Sequence, residues 1–217
     1  MGIDVLKELE RLGAVIDNQH FVYTSGKHGS AYINSDPMFP DVNVVSQLAD
    51  QLVEPYLGRV DTVVAPATGG IVLAVQSGLA FLRKGEQVAS VWADKDGKGG
   101  FVFERSGFVQ HITDKRVLVV EDLLNTGGSV EKTCRLVEEH GGELVGVSVV
   151  CNRGSSTAKS LQTPELTSLA NVEMHVYEAT ECPLCAEERP IVDDIGHGDE
   201  YKTQHADYPG GYISLAS

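Results

Sequence analysis

The chain is short of positive charge. Seventeen lysines and arginines stand against 31 aspartates and glutamates in 217 residues, a formal net charge of −14 at pH 7. A general nucleic-acid binder needs a basic face to displace counterions from phosphates, so the balance argues against nucleic-acid partners. It says little against small anionic substrates, which backbone dipoles and a few cations can hold. Long apolar runs are also missing. Stretches such as Ile71 to Val75 are far too short to span a bilayer, and Met1 to Glu10 is charged where a signal peptide would be apolar. The expectation is a cytoplasmic protein with no membrane partner. Cysteines number four, two of them as Cys182-Pro183-Leu184-Cys185. One C-x-x-C supplies half of a structural zinc site, and Cys134 and Cys151 fall on an expected helix and strand end. His175, His197 or His205 could complete a site, but none has finger-like spacing. The expected state is therefore reduced and metal-free, with a disulfide disfavoured by compartment. Neither G-x-x-x-x-G-K-[ST] nor G-x-G-x-x-G occurs, and there are no repeats or low-complexity tracts.

At 42% hydrophobic residues the chain can bury a full core in one domain, with room for a small appended lobe. Val5, Leu6, Leu9 and Leu12 mark an N-terminal helix that stops at Gly13. A polar stretch with aromatics follows, to Asp41. A second helix is predicted over about Val44 to Leu57, then a strand Thr62 to Ala65, a Gly-Gly turn and a helix from about Ile71 to Arg83. The strand Val88 to Trp92, a Gly-rich hairpin, a strand from Val117, a helix from Ser129 and a strand Val145 to Cys151 come next. Residues 155 to 170 show no clean period, and a last strand is predicted over Val172 to Tyr177. This alternation implies an α/β fold with a mostly parallel sheet and helices on both faces.

The most informative segment is Val117-Leu118-Val119-Val120-Glu121-Asp122-Leu123-Leu124-Asn125-Thr126-Gly127-Gly128-Ser129. Its apolar residues suit a strand covered on both faces, which places the acids at a strand's carboxyl end, where open α/β sheets bind ligands. Ser129 suits the N-cap of the next helix. Gly127 and Gly128 let successive backbone N–H groups face one point, so a phosphate fits at this helix start without a lysine. Ionised carboxylates only accept hydrogen bonds, so Glu121 and Asp122 suit the hydroxyls of a ribose whose 5′-phosphate lies in the loop. Ala65-Pro66-Ala67-Thr68-Gly69-Gly70 reads as a second strand-turn-helix anion cradle. That second segment, taken alone, is equally open to reading as a tight turn that needs glycine for packing, and the first could by itself be an ordinary strand-turn-helix junction.

Together these residues resemble the phosphoribosyl pyrophosphate (PRPP) signature of type I phosphoribosyltransferases. The resemblance runs from about Phe21 to Arg153, and three further segments make it most similar to the orotate branch. Thr24-Ser25-Gly26-Lys27-His28-Gly29-Ser30-Ala31-Tyr32-Ile33-Asn34 resembles that branch's N-terminal segment, in which Lys27 would contact PRPP and Tyr32 and Ile33 would close over the pyrimidine; read by itself it is a β-hairpin with a Ser-Gly turn. Arg153, in Asn152-Arg153-Gly154 after a strand, offers a planar fork to a carboxylate such as that of orotate, and Asn125 stands where the branch carries a Thr or Ser for the ring. The segment Trp92 to Gly100 corresponds to a mobile basic loop; Lys95 and Lys98 are present, while an Arg-Lys pair and a His of the usual pattern are absent. Cys-Pro-Leu-Cys also resembles a segment of some bacterial orotate enzymes.

The resemblance implies a single domain, its core at about residues 42–178 and a hood from about 1–41 and 179–217. It implies Mg²⁺-dependent transfer of 5-phosphoribosyl from PRPP to orotate, giving orotidine 5′-monophosphate and pyrophosphate in pyrimidine biosynthesis. PRPP contacts would come from Glu121, Asp122, Leu123, Leu124, Asn125, Thr126, Gly127, Gly128, Ser129, Thr68, Gly69, Gly70 and Lys27. Orotate would meet Arg153, Asn125, Tyr32 and Ile33. Asp122, Lys95 and Lys98 would take part in catalysis, the lysines screening the leaving group from a neighbouring subunit of a homodimer. Mg²⁺ would arrive with PRPP and need no direct protein ligand. Two other readings stay open: a phosphoribosyltransferase for a purine or another pyrimidine, and a non-catalytic PRPP- or nucleotide-sensing regulator on the same fold.

Overall fold

The computed structural model describes residues 2–215. In chain order its elements are α1 (Val5–Arg11), β1 (Val15–Ile16), β2 (Phe21–Val22), β3 (His28–Gly29), β4 (Tyr32–Ile33), α2 (Val42–Val53), β5 (Thr62–Pro66), α3 (Gly70–Arg83), β6 (Ala89–Lys95) and β7 (Phe101–Val102). There follow β8 (Arg116–Leu124), α4 (Gly128–Glu139), β9 (Glu143–Asn152), β10 (Leu166–Asn171), β11 (Val176–Tyr177), α5 (Pro183–Ala186), β12 (Ile191–Val192), α6 (Gly198–Gln204) and β13 (Tyr212–Ile213). Among the described residues no helix is long and apolar enough to cross a membrane. The chain divides into two units, residues 2–8 with 35–173 and residues 9–34 with 174–215.

The larger unit is built on a six-stranded sheet of order β10-β9-β8-β5-β6-β7, parallel except for the short antiparallel β7. β5 is buried throughout, as a central strand with both faces covered must be. Alternate residues separate the faces. Val147 and Val149 of β9 pack in a cluster with Val130, Cys134 and Val137 of α4, whereas Ser148 between them donates to the Leu52 carbonyl of α2 at 2.9 Å. The chain steps from β5 through α3 to β6 on one side, then returns to β5's other side for β8 and continues outward to β9 and β10. Strand order therefore reverses between β5 and β8, and a crevice at the carboxyl ends of these strands is where such a sheet takes its ligand.

Two local expectations need correction. Ser129 is not the N-cap of α4; Gly127 is, with φ 85°, a left-handed conformation in which glycine has no Cβ penalty. The last strand of the large sheet is Leu166–Asn171 and not Val172 to Tyr177, because β10 pairs in parallel with β9 on an edge, where one polar face leaves no continuous apolar run. Val176–Tyr177 belongs instead to a small antiparallel sheet with β3 and β2.

The smaller unit consists of short strands. β2 and β3 form a hairpin whose turn places Gly26 at φ 76°, the Tyr23 N–H donating to the Lys27 carbonyl at 2.9 Å. β1 pairs with β4, and β12 with β13. Phe21, Tyr23 and Val192 are buried in one cluster, with Ile16, Tyr32, Met174, Ile195, Ile213 and Leu215 packed around them.

Candidate active site

The acidic segment lies in β8, which runs on past its pairing with β5. That pairing ends at Val64 and Val119, while β8 continues beside β9 to Leu124 opposite Asn152. Glu121 and Asp122 thus emerge where β5 turns away into the Thr68-Gly69-Gly70 turn. The two cradles meet there. A Cβ on Gly69 would stand 3.3 Å from Asp122 Oδ2, and one on Gly70 would stand 2.8 Å from Ala65 Cβ and 3.4 Å from Glu121 Oε1. Glycine at these two places is what lets the turn approach the carboxyls. Thr68 is exposed, and the Ala67–Thr68 peptide bond is cis.

The two carboxyls are in different states. Asp122 Oδ2 accepts the Ser35 hydroxyl at 2.5 Å, and Oδ1 accepts the Leu123 N–H at 2.7 Å. Glu121 is buried, and its Oε1 accepts the Asp122 N–H at 3.2 Å. Burial first, and the neighbouring Asp122 charge second, raise its pKa well above the usual carboxylate range. One acid is thus disposed to hold a proton beside another fixed by two donors.

Beyond the acids, residues 123–130 with Glu121 and Lys132 line a cavity of about 250 Å³ at the start of α4. Asn125, Thr126 and Ser129 are exposed at it, whereas the Leu124 side chain is buried, so a ligand meets Leu124 only through its backbone. Lys132 corrects the reading of a cradle without a lysine. It sits one turn into the helix, and its Nζ donates to the Gly99 carbonyl at 2.6 Å, tying the β6–β7 hairpin to α4. Its spacing from the Gly-Gly pair was the available signal. Ser35 had none, being 87 residues from Asp122.

Arg153 is brought to the same edge. Its N–H donates to the Leu124 carbonyl at 2.9 Å, and the Ser156 hydroxyl donates to the Asn125 carbonyl at 3.1 Å. Asn152 holds the turn through Nδ2 to the Ser156 carbonyl at 2.9 Å and through Oδ1 from the Gly154 N–H at 3.2 Å. A Cβ on Gly154 would lie 2.5 Å from the Asn125 carbonyl, so the contact of these two loops requires glycine. Asn125 and Arg153 therefore stand together in the larger unit.

The remaining predicted residues are placed differently. Lys95 and Lys98 are exposed on the β6–β7 hairpin, whose turn is held by Asp96 Oδ1 accepting the Lys98 and Gly100 N–H groups at 2.7 and 2.8 Å. Lys27, Tyr32 and Ile33 belong to the smaller unit. There Lys27 pairs with Glu178 at 2.9 Å, both largely exposed. Tyr32 is half-buried and stacks parallel to Tyr23 at 6.4 Å, whereas Ile33 is 2% exposed, so a ligand can reach the Tyr32 side chain but not that of Ile33.

Residues 41–179 match the family described as phosphoribosyl transferase domain. An orotate phosphoribosyltransferase of Caldanaerobacter subterraneus subsp. tengcongensis is 35% identical over 189 residues, covering 87% of this chain and 94% of that protein. One from Thermus thermophilus is 34% identical over 194 residues, covering 87% and 98%. Among solved structures, the orotate phosphoribosyltransferase of Mycobacterium tuberculosis H37Rv superposes with a TM-score of 0.63 at 20% identity, covering 77% of this chain and 94% of that one, a likeness of fold.

Proposed function

Because the chain belongs to the phosphoribosyltransferase family, we propose that it transfers the 5-phosphoribosyl group of PRPP to N1 of orotate, releasing pyrophosphate and forming orotidine 5′-monophosphate. The observation that supports this most is the meeting of two glycine cradles and two carboxyls at the strand-order reversal, with the Arg153 turn stitched to the Leu124–Asn125 segment beside them.

In this reading the N–H groups of Asn125 to Ser129 and the start of α4 hold the 5′-phosphate, with Lys132 adding a full charge. Asp122 accepts from the ribose hydroxyls. Glu121, whose burial favours its protonated form, can in that form donate as well as accept there. Thr68, Gly69 and Gly70 receive the pyrophosphate, and the Arg153 fork pairs with the orotate carboxylate while Asn125 bonds to the ring. The C1′–oxygen bond breaks through an oxocarbenium-like state as the bond to N1 forms, so the chain's work is positioning and charge stabilisation and no protein nucleophile is needed. Lys27 would contact PRPP, Tyr32 the pyrimidine face, and Lys95 and Lys98 of a second subunit the leaving group. The chain is then one transferase domain, with the larger unit as core and the smaller as hood.

Magnesium fits this arrangement as a companion of the substrate. Asp122 already accepts two hydrogen bonds and Glu121 is buried and disposed to be neutral, so no cage of free carboxylates is built for an ion. Mg²⁺ carried on the phosphates would neutralise charge on the departing pyrophosphate when bound.

The test is pyrophosphate release from PRPP and Mg²⁺ across a panel of bases. Turnover with orotate is expected. Turnover with adenine or hypoxanthine and none with orotate would reassign the base, and PRPP binding without turnover on any base would make the protein a sensor.

A further inference from the structure

Outside that crevice, the smaller unit gathers four metal-ligating side chains from opposite ends of its sequence. His20 precedes β2, His28 lies on β3, Cys182 is the N-cap of the short helix α5 and Cys185 lies within it. One donor atom from each lies within 4.8 Å of every other, the only such grouping of three or more His, Cys, Asp or Glu among the described residues. We propose that His20, His28, Cys182 and Cys185 bind one structural Zn²⁺.

The donor geometry is close to what the ion requires. With the usual Zn–N and Zn–S lengths, the edges of a tetrahedral site are about 3.4 Å for N to N and about 3.6 Å for N to S. Here His20 Nε2 and His28 Nδ1 are 2.9 Å apart, Cys182 Sγ and Cys185 Sγ each lie 3.7 Å from His20 Nε2, and Cys185 Sγ lies 3.3 Å from His28 Nδ1. These four edges are within about half an ångström of the tetrahedral lengths, and the remaining two are no longer than 4.8 Å. His20, His28 and Cys182 are 1%, 0% and 2% exposed, with Cys185 half-buried, so the four are shielded from water without being sealed.

The surrounding groups set the tautomers a metal needs. The other nitrogen of His20, Nδ1, meets the Arg189 carbonyl at 2.9 Å; a carbonyl only accepts, so Nδ1 carries the proton and Nε2 turns its lone pair to the group. If the 2.9 Å contact were a plain hydrogen bond, His28 Nδ1 would have to donate it, leaving His28 Nε2 as a bare buried acceptor. That nitrogen is buried and has no hydrogen-bond partner in the structure. With a cation accepting both inward lone pairs, His28 Nε2 carries a proton beside the Tyr201 ring, whose centroid is 5.1 Å away, and an N–H against an aromatic ring is at least weakly satisfied.

Two thiolates and two imidazoles in a closed set of four select zinc over magnesium or calcium, and leave no open position for chemistry, so the role is structural. It answers a need of this unit. A unit of roughly 70 residues commonly requires a metal or a disulfide to hold together. The site would fasten the β2–β3 hairpin to the C-terminal α5 across more than 150 positions of sequence. The cysteines are those the sequence offered, but the histidines differ: none of His175, His197 and His205 is in the group.

The test is metal analysis of the full-length protein purified without chelator. About one zinc per chain is expected, together with a thiolate-to-metal charge-transfer band after Co²⁺ exchange. A Cys182→Ser/Cys185→Ser variant should lose at least about nine-tenths of the zinc and the band, while Cys134→Ala, a cysteine of the larger unit, should keep both. If the double variant does not fold, the wild type decides: mercurial titration of its thiols should release zinc in step with thiol loss. A folded wild type with less than about a tenth of a zinc per chain and no Co²⁺ band would overturn the proposal. So would a Cys182–Cys185 disulfide in the purified protein, or iron or copper bound in place of zinc.

Discussion

The two units are held together by different physics. In the larger, the cluster beneath α4 contains sixteen buried residues drawn from β5, β6, β8, β9, α4 and neighbouring loops. In the smaller, the cluster around Phe21 has three, and the donor atoms of His20, His28, Cys182 and Cys185 converge within 4.8 Å of one another. A deep apolar core can hold an unfavourably buried Glu121 at its edge, because many packed side chains over-determine the strand that carries it. A shallow one must be cross-linked through a few strong, directional contacts.

The contrast is most open to challenge by core truncation. Leu118→Ala in β8 is expected to cost about 2–5 kcal/mol in urea unfolding, and Val192→Ala in the smaller core only about 1–2 kcal/mol; equal losses would erase the distinction between a deep and a shallow core. Next in size is Asp122→Asn, which should lower kcat/KM by about 100-fold while leaving stability within about 1 kcal/mol. Full activity in that variant would move the chemistry out of the larger unit's crevice. Which unit reads the base can be separated by steady-state kinetics: Arg153→Ala should raise KM for orotate by about 10- to 100-fold with KM for PRPP little changed, and Tyr32→Ala, on the smaller unit, by no more than about 10-fold. The reverse order would assign recognition to the smaller unit.

Two pH effects are smaller. Because the folded pKa of Glu121 is raised, the stability its protonated form contributes is fully present below the usual 4.5 and is lost as pH rises through the folded value. Glu121→Gln should therefore melt higher than wild type at pH 8 and lose that advantage near pH 4.5; identical pH slopes for the two proteins would show Glu121 to be ionised. Asp61 behaves oppositely. Its side-chain hydrogen bonds to Arg116, and the Arg116 backbone N–H after them, lower it to about 2, so its contribution is present above 3.8 and lost as pH falls through about 2. Both partners are about two-fifths exposed, so Asp61→Asn should cost less than about 1 kcal/mol at pH 7, measured by urea unfolding.

Most of the larger unit was legible in the sequence because its signals are local. Four apolar residues before Glu121 specify a doubly covered strand, the glycines at 127 and 128 specify the turn, and Val130, Cys134 and Val137 specify the buried stripe of α4. The β10 edge strand was missed because half its surface is free of the apolar demand that makes strands visible. Ser129 misled because a good N-cap residue is only a preference, and glycine two positions earlier met the backbone requirement better.

What the sequence by itself determined is therefore the alternating α/β order, the two phosphate-type cradles and the pair of acids, since each depends on residues within a few positions of one another. Only the tertiary structure decided the rest: that Ser35 fixes Asp122, that Glu121 is buried enough to favour its proton, that Arg153 bonds to Leu124 while Gly154 rests against Asn125, and that His20 and His28 face Cys182 and Cys185. Desolvation and the convergence of donor atoms are properties of chain segments far apart in sequence. They come into existence only when folding closes the distance.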